Sequence, residues 1–247
     1  MSLAGRKIVV VMPAYNAART LRDTHQRIPS LVREVILVDD HSQDETATVA
    51  KALGLKVIRH PHNVGYGGNQ KTCYMEALRD GADVIVMLHP DGQYEPELLT
   101  DLVQPILEGR ADFVLGSRML APGGAAAGGM PLWKRVANRF LTTVENRAMG
   151  TAFAELHTGY RAYSADFLHT IPFLRNSNDF VFDTQVIAQA VAFGQRIVEV
   201  PARSRYFPEA SSVGFGVGMR YGIKTLWVMT RFVAWRTGLA RAAIFRP

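Results

Sequence analysis

Three side chains with ligand chemistry fall on alternate positions in VIVMLHPDGQYEP, residues 84–96: His89, Asp91 and Gln93. They follow directly on an apolar run, and alternate residues of an extended segment share one side. Such a trio suits a cation-binding turn, and it equally suits the polar end of a buried strand. Other reactive types punctuate the chain in the same way. Asp40 closes the run VILVDD, where a carboxylate can contact a ligand or form a turn. Asn63, Gly65, Gly67, Gly68 and Lys71 lie in NVGYGGNQK, a glycine-rich stretch that fits close backbone approach to a ligand or a simple turn. Pro13, Ala14 and Tyr15 end the first apolar run, and Asp183 lies in NDFVFDTQ. Arg118, Arg135 and Arg205 are three further charges, and a lone surface arginine is by default only solvated.

The elements around these residues alternate. Short β-branched runs at Ile8–Met12, Val35–Val38, Val57–Ile58, Val84–Leu88 and Phe113–Leu115 read as strands. Helices are expected over 20–32, from a capping box at Ser42-x-x-Glu45 to Leu53, after the glycine-rich stretch to Arg79, and over 96–107. Such alternation predicts βαβ units and an α/β fold with a mostly parallel, doubly wound, Rossmann-like sheet. In such sheets ligands bind beyond the carboxyl ends of the strands, so the polar turns at 13–16, 39–40, 63–69 and 89–93 should line one crevice. Beyond Arg118 the alternation stops. MLAPGGAAAGGMP (119–131) reads as a mobile loop, and Leu132 to Met149 as a basic amphipathic helix.

At 247 residues with 20% charged and 48% hydrophobic content, the chain suits one globular α/β domain with appendages. Its single cysteine, Cys73, makes no internal disulfide, and a reducing cytoplasm is expected. Met1 to Lys7 runs straight into a strand, so no leader is expected, and no stretch has the length of a membrane span. The net charge of +6 is concentrated: from Pro201 onward eight Lys or Arg face one acid, Glu209. That tail points to an anionic partner. Basic residues without interleaved exposed aromatics argue against nucleic acid.

The segments VVMPAYNAARTL, EVILVDDHSQDET, NVGYGGNQKT, MLHPDGQYEPELL, VLGSRM, HTGYRAYS and EVPARSRYFPEASSVGF, in this order over residues 8 to about 215, resemble the family 2 glycosyltransferases. These are inverting enzymes of the GT-A fold, and the dolichol- and polyprenyl-phosphate sugar synthases are the most similar group. The resemblance implies a nucleotide-diphosphate sugar donor, UDP- or GDP-linked, and a polyprenyl phosphate acceptor. Pro13, Ala14 and Tyr15 would hold base and ribose, and Asp40 would hydrogen-bond the nucleotide. Asn63 and Gly65 would approach the donor, with Lys71 at its phosphates. HPDGQ resembles a D-x-D turn in which Asp91 and Gln93 hold Mg2+ or Mn2+. His89 replaces the first Asp there, and an imidazole shifts preference toward Mn2+. Arg118, Arg135 and Arg205 would grip the acceptor phosphate, an anion that attacks without a general base.

Two rivals remain. Asp183 sits near the catalytic base of relatives with hydroxyl acceptors, so a saccharide acceptor is one alternative. A nucleotide-sugar-binding protein without catalysis is the other. Glu155 and Arg161 read as structural supports paired to each other, and His157 as non-catalytic. The expected organisation is a catalytic domain over 1–215, with a donor half at 1–118 and an acceptor half at 119–215. A basic helical tail follows at 216–247, suited to a peripheral position on the cytoplasmic membrane face or to packing on the body. A homo-oligomer is compatible with the sequence.

Overall fold

A computed structural model of the chain describes residues 5–121, 123–206 and 214–246. Strand β1 (Ile8–Ala14) is buried along its whole length, as a run of valines at the centre of a sheet covered on both faces must be. It pairs in parallel with β2 (Glu34–Asp39) and β4 (Val84–Met87), and β2 pairs in parallel with β3 (Lys56–Arg59). Strands β5 (Phe113–Ser117), β6 (Arg161–Ser164) and β7 (Ile197–Pro201) complete the sheet, ordered β3-β2-β1-β4-β6-β5-β7. Only β6 runs against its neighbours, β4 and β5. The sequence gives β6 no strand signal because its four residues are Arg-Ala-Tyr-Ser, and Arg161 is fully buried among them.

The helices, in chain order, are α1 (Leu21–Gln26), α2 (Thr46–Ala52), α3 (Tyr66–Arg79), α4 (Leu99–Leu107), α5 (Gly124–Ala127), α6 (Leu132–Met149), α7 (Ala165–Thr170), α8 (Phe182–Ala192) and α9 (Phe215–Arg236). Leu21, Ala50, Leu102 and Val103 bring α1, α2 and α4 onto one face of the sheet. Tyr74, Phe167, Phe182, Val186, Met229 and Phe232 bring α3, α7, α8 and α9 onto the other. The result is three layers with an apolar core on each side of the sheet.

Three local expectations need correction. The helix expected over 20–32 spans only Leu21–Gln26, because Pro29 bars a helical residue before it and cannot supply a helical N–H itself. The glycine-rich stretch is not a loop preceding α3, since the helix already begins at Tyr66. The capping box at Ser42 does not form. Asp44 Oδ1 takes the Thr46 N–H at 3.0 Å instead, and Ser42 Oγ accepts from Asn16 N at 2.9 Å, tying the loop after β1 to the loop after β2.

Segment 119–131 contains the short helix α5, and Gly128 O accepts from Tyr206 N at 2.8 Å. The chain beyond α9 returns to the body: Ala242, Ile244 and Phe245 are buried in the same core as α8, and Gln189 Nε2 donates to Ile244 O at 2.9 Å. Among the described residues no helix is long and apolar enough to cross a membrane.

Candidate active site

The carboxyl ends of β1, β2, β4 and β5 open into one cleft of about 1510 Å³, as the strand polarity requires. Pro13, Ala14, Tyr15, Asp40, Asn63, Gly65, His89, Asp91, Gln93, Arg118 and Asp183 all line it, and Lys71, Arg135 and Arg205 do not. Tyr15 stands 55% exposed at the rim.

The loops after β1 and β2 are held mainly by each other. Asn16 Oδ1 accepts from Gln43 N at 2.8 Å, and Thr46 Oγ1 accepts from Ala17 N at 2.8 Å. Asp40 does not stand free for a nucleotide. Its Oδ1 meets His60 Nδ1 and Val64 N, each at 2.9 Å, and its Oδ2 accepts from Gly65 N at 3.1 Å. The glycines answer to protein backbone. A Cβ at Gly67 would lie 2.4 Å from Ser177 O, and Gly67 N donates to Asn178 O at 2.8 Å. The start of α3 is therefore capped by the 176–181 loop and not left open for an anion. Lys71 turns the same way, donating to Asn176 O at 2.5 Å and Asn178 Oδ1 at 2.7 Å. We expect Gly67→Ala to destabilise the fold by about 2 kcal/mol through overpacking, measured by chemical denaturation, and to loosen the cleft wall at Asn178.

At the opening motif, Asp91 Oδ1 accepts from Gln93 N at 3.0 Å, an Asx turn, and Oδ2 has no protein partner among the described residues. No cluster of three or more His, Cys, Asp or Glu side chains is spaced for metal ligation among those residues. His89 is half-buried: its ring stacks on Tyr66 at 5.7 Å and its Nε2 lies 3.4 Å from the Tyr66 hydroxyl. Burial lowers the His89 pKa from its ordinary value, against the opposing pull of Asp91.

Behind this turn lies a buried charge network. Asp183 Oδ1 meets Arg161 Nη1 at 3.2 Å and Gln70 Nε2 at 3.1 Å, while its Oδ2 accepts from the Tyr66 hydroxyl at 2.8 Å. Glu155 and Arg161 are not partners of each other. Glu155 Oε1 accepts from Arg118 Nε at 2.8 Å and also from Arg118 Nη2, and its Oε2 accepts from Arg118 N at 2.7 Å. Arg118 donates further to Tyr206 Oη at 2.7 Å and to His157 O at 2.6 Å, which leaves one Nη1 proton without a partner among the described residues. Burial opposes the Arg118 charge, but Glu155 outweighs it and raises the guanidinium pKa. The sequence read Arg118 as a free grip on phosphate, whereas its charge is already matched.

Arg135 is turned about 100° round α6 from Lys134, onto the side of the helix away from the cleft-lining residues. Lys134 lines the cleft in its place, with Nζ 5.7 Å from the centroid of the Tyr206 ring. Burial, then the neighbouring Arg118 charge, lowers the Lys134 pKa. Arg205 faces a separate polar hollow behind the 89–95 turn and pairs with Glu95 at 3.5 Å. Residues 207–213 of its motif lie outside the described residues. Tyr66, Lys134, Phe180 and Tyr206 are cleft residues that the sequence reading missed; only the exact phase of α6 could have separated Lys134 from Arg135.

From its polar floor the cleft runs into an apolar trough between α6 and α9. Leu132, Val136 and Phe140 line one wall, and Met219, Ile223 and Leu226 the other. All but Leu226 are more than half exposed.

The model of glycosyl transferase family 2 matches residues 9–171. Undecaprenyl-phosphate mannosyltransferase of Micrococcus luteus is 29% identical over 237 residues, covering 90% of this chain and 96% of that one. UDP-N-acetylglucosamine–dolichyl-phosphate N-acetylglucosaminyltransferase of Methanococcus voltae is 26% identical over 239 residues, covering 90% and 94%. Glucosyl-3-phosphoglycerate synthase of Mycobacterium tuberculosis, solved with Mn2+, UDP and glucosyl-3-phosphoglycerate, aligns with a TM-score of 0.62 at 21% identity, covering 97% of this chain and 82% of that one.

Proposed function

The chain belongs to glycosyl transferase family 2 and has the GT-A fold, and from that premise we propose that it transfers a sugar from a UDP- or GDP-linked donor to a polyprenyl phosphate, with inversion. The observation that carries this reading is the trough: an apolar groove, open to solvent, that begins at the polar floor of the cleft. A saccharide acceptor would leave five large apolar side chains facing water for no purpose, whereas an isoprenoid chain covers them. The two relatives whose names specify a lipid-phosphate acceptor support the same choice.

At the head of the trough, Lys134 and the remaining Nη1 proton of Arg118 are placed to hold the acceptor phosphate. A phosphate oxygen attacks the anomeric carbon, the bond from that carbon to the diphosphate oxygen breaks, and its electron pair leaves with the nucleoside diphosphate. Asp91, whose Oδ2 has no partner among the described residues, and Gln93 are the residues that would hold Mg2+ or Mn2+. When bound there, a divalent cation compensates the charge of the departing diphosphate. Asp183 acts in this reaction as a fixed acceptor in the wall and not as a base, held by Arg161, Gln70 and Tyr66.

Replacing Asp183 by Asn tests the acceptor class. Corrected for the folded fraction, turnover with undecaprenyl phosphate should fall no more than about tenfold, because an attacking phosphate needs no base and the amide oxygen of Asn still accepts a hydrogen bond. A complete loss of chemistry with intact donor binding would favour the hydroxyl-acceptor alternative.

We also place the protein on the surface of a membrane, where its acceptor resides. Phe140 and Trp227 stand 58% and 62% exposed beside the trough, and Arg139, Arg220 and Lys224 lie on the same two helices. Phe140→Ser with Trp227→Ser should weaken binding to anionic phospholipid vesicles at least tenfold in a flotation assay, while leaving nucleotide binding intact.

A further inference from the structure

A strip of aromatic rings leads away from the metal turn. His89 stacks on Tyr66 at 5.7 Å with 19° between planes, and Tyr66 packs on Phe180 at 4.7 Å with 33° between planes. Phe180 ends the strip in the cleft, 37% exposed, on the loop that caps α3. That loop is braced from both sides, by Lys71 at Asn176 and Asn178 and by Lys224 of α9 at Asp179. The loop that carries the ring is therefore held in place, and the ring itself rests on Tyr66 with more than a third of its surface open to the cleft.

Beside this strip stands Asp183. A carboxylate has about four acceptor positions, and Tyr66, Gln70 and Arg161 take three. The position left on Oδ2 is next to the aromatic strip. A flat apolar ring beside a carboxylate with spare acceptor capacity suits a pyranose, which offers C–H bonds on its face and hydroxyls at its edge.

The geometry points to Phe180, backed by Tyr66, as the platform on which the donor's hexopyranose ring lies, with Asp183 Oδ2 accepting from one of its hydroxyls. This rests on the nucleotide-sugar reading above and adds to it the subsite that holds the sugar. Phe180 is then a specificity-determining residue, felt by the sugar and not by the nucleotide.

The test compares, by calorimetry, the Kd of UDP-glucose, UDP-N-acetylglucosamine and GDP-mannose with those of UDP and GDP. For the donor that wild-type protein binds, the ratio of nucleotide-sugar Kd to nucleotide Kd should rise about tenfold in Phe180→Leu and in Phe180→Ala, and should return toward wild type in Phe180→Tyr. Nucleotide binding within each variant reports that it has folded. A ratio unchanged in both variants overturns the subsite, as does an equal loss of nucleotide and nucleotide-sugar binding. A change confined to the KM for undecaprenyl phosphate also overturns it, by assigning the ring to the acceptor, and leaves the donor reading standing. A wild-type protein that binds none of the three nucleotide sugars removes the donor reading itself and the subsite with it.

Discussion

Asp91→Asn should reduce sugar transfer by roughly 10³-fold, about 4 kcal/mol of barrier, without unfolding the protein. The size follows from the charge count at the turn. With His89 in place of a carboxylate and no cluster of three potential ligands among the described residues, Asp91 is the one carboxylate that the HPDGQ turn offers to a cation. Its amide counterpart keeps the Oδ1 acceptor that closes the Asx turn onto Gln93 N, so the backbone is preserved while the negative charge is lost. The signature is a Mn2+-dependent thermal shift in the presence of UDP or GDP that disappears in the variant, with the metal-free melting temperature unchanged. A variant that keeps both its metal response and its turnover would move the metal role away from this turn.

The second large effect is on stability. Glu155 is fully buried, and it holds the backbone N–H and the side chain of Arg118 together with Asn138 Nδ2 at 2.7 Å. Glu155→Ala leaves the guanidinium in a nearly closed site without its counter-charge. Breaking such a pair costs about 3–5 kcal/mol. For a chain of this size that corresponds to a drop in melting temperature of roughly 6–20 °C. The double variant Arg118→Met with Glu155→Leu should recover much of this loss, since apolar packing replaces a buried pair at little net cost. It should remain inactive, because Arg118 also places Tyr206 and the His157 carbonyl at the cleft. Calorimetry on the three proteins measures the effect directly, and a single variant as stable as wild type would show that the pair contributes nothing.

What the sequence revealed, and what it concealed, follows from the range of the forces involved. The five parallel strands and the crevice at their carboxyl ends were legible, because apolar runs and the polar turns after them are local features. Strand β6 was not, since Arg-Ala-Tyr-Ser becomes a central strand only when Asp183 arrives from α8 to meet Arg161. Asp40, Gly67 and Lys71 were expected to contact the donor, yet their partners are protein groups at Val64, Ser177 and Asn178. Motif position alone does not separate a residue that touches a ligand from one that builds the wall behind it. The same limit applied to the cations: Glu155, 37 positions from Arg118, neutralises the arginine that looked free. Lys134, next to Arg135 on α6, faces the cleft.

His89 now has a structural explanation. Its ring is packed between Tyr66 and Gly159, where an added Cβ would come within 3.0 Å of the imidazole. That packing fixes the start of the turn without requiring a second acidic ligand.

The measurement that bears most directly on the proposed function is transfer itself. Purified protein would be incubated with Mn2+, each of UDP-glucose, UDP-N-acetylglucosamine and GDP-mannose, and undecaprenyl phosphate in vesicles, and the lipid fraction analysed by mass spectrometry and by the anomeric NMR signal. The predicted result is a lipid-linked sugar phosphate of inverted anomeric configuration, formed from at least one donor and absent without the polyprenyl phosphate. A donor that binds and is consumed only when a saccharide hydroxyl is supplied, with no lipid product, would contradict it.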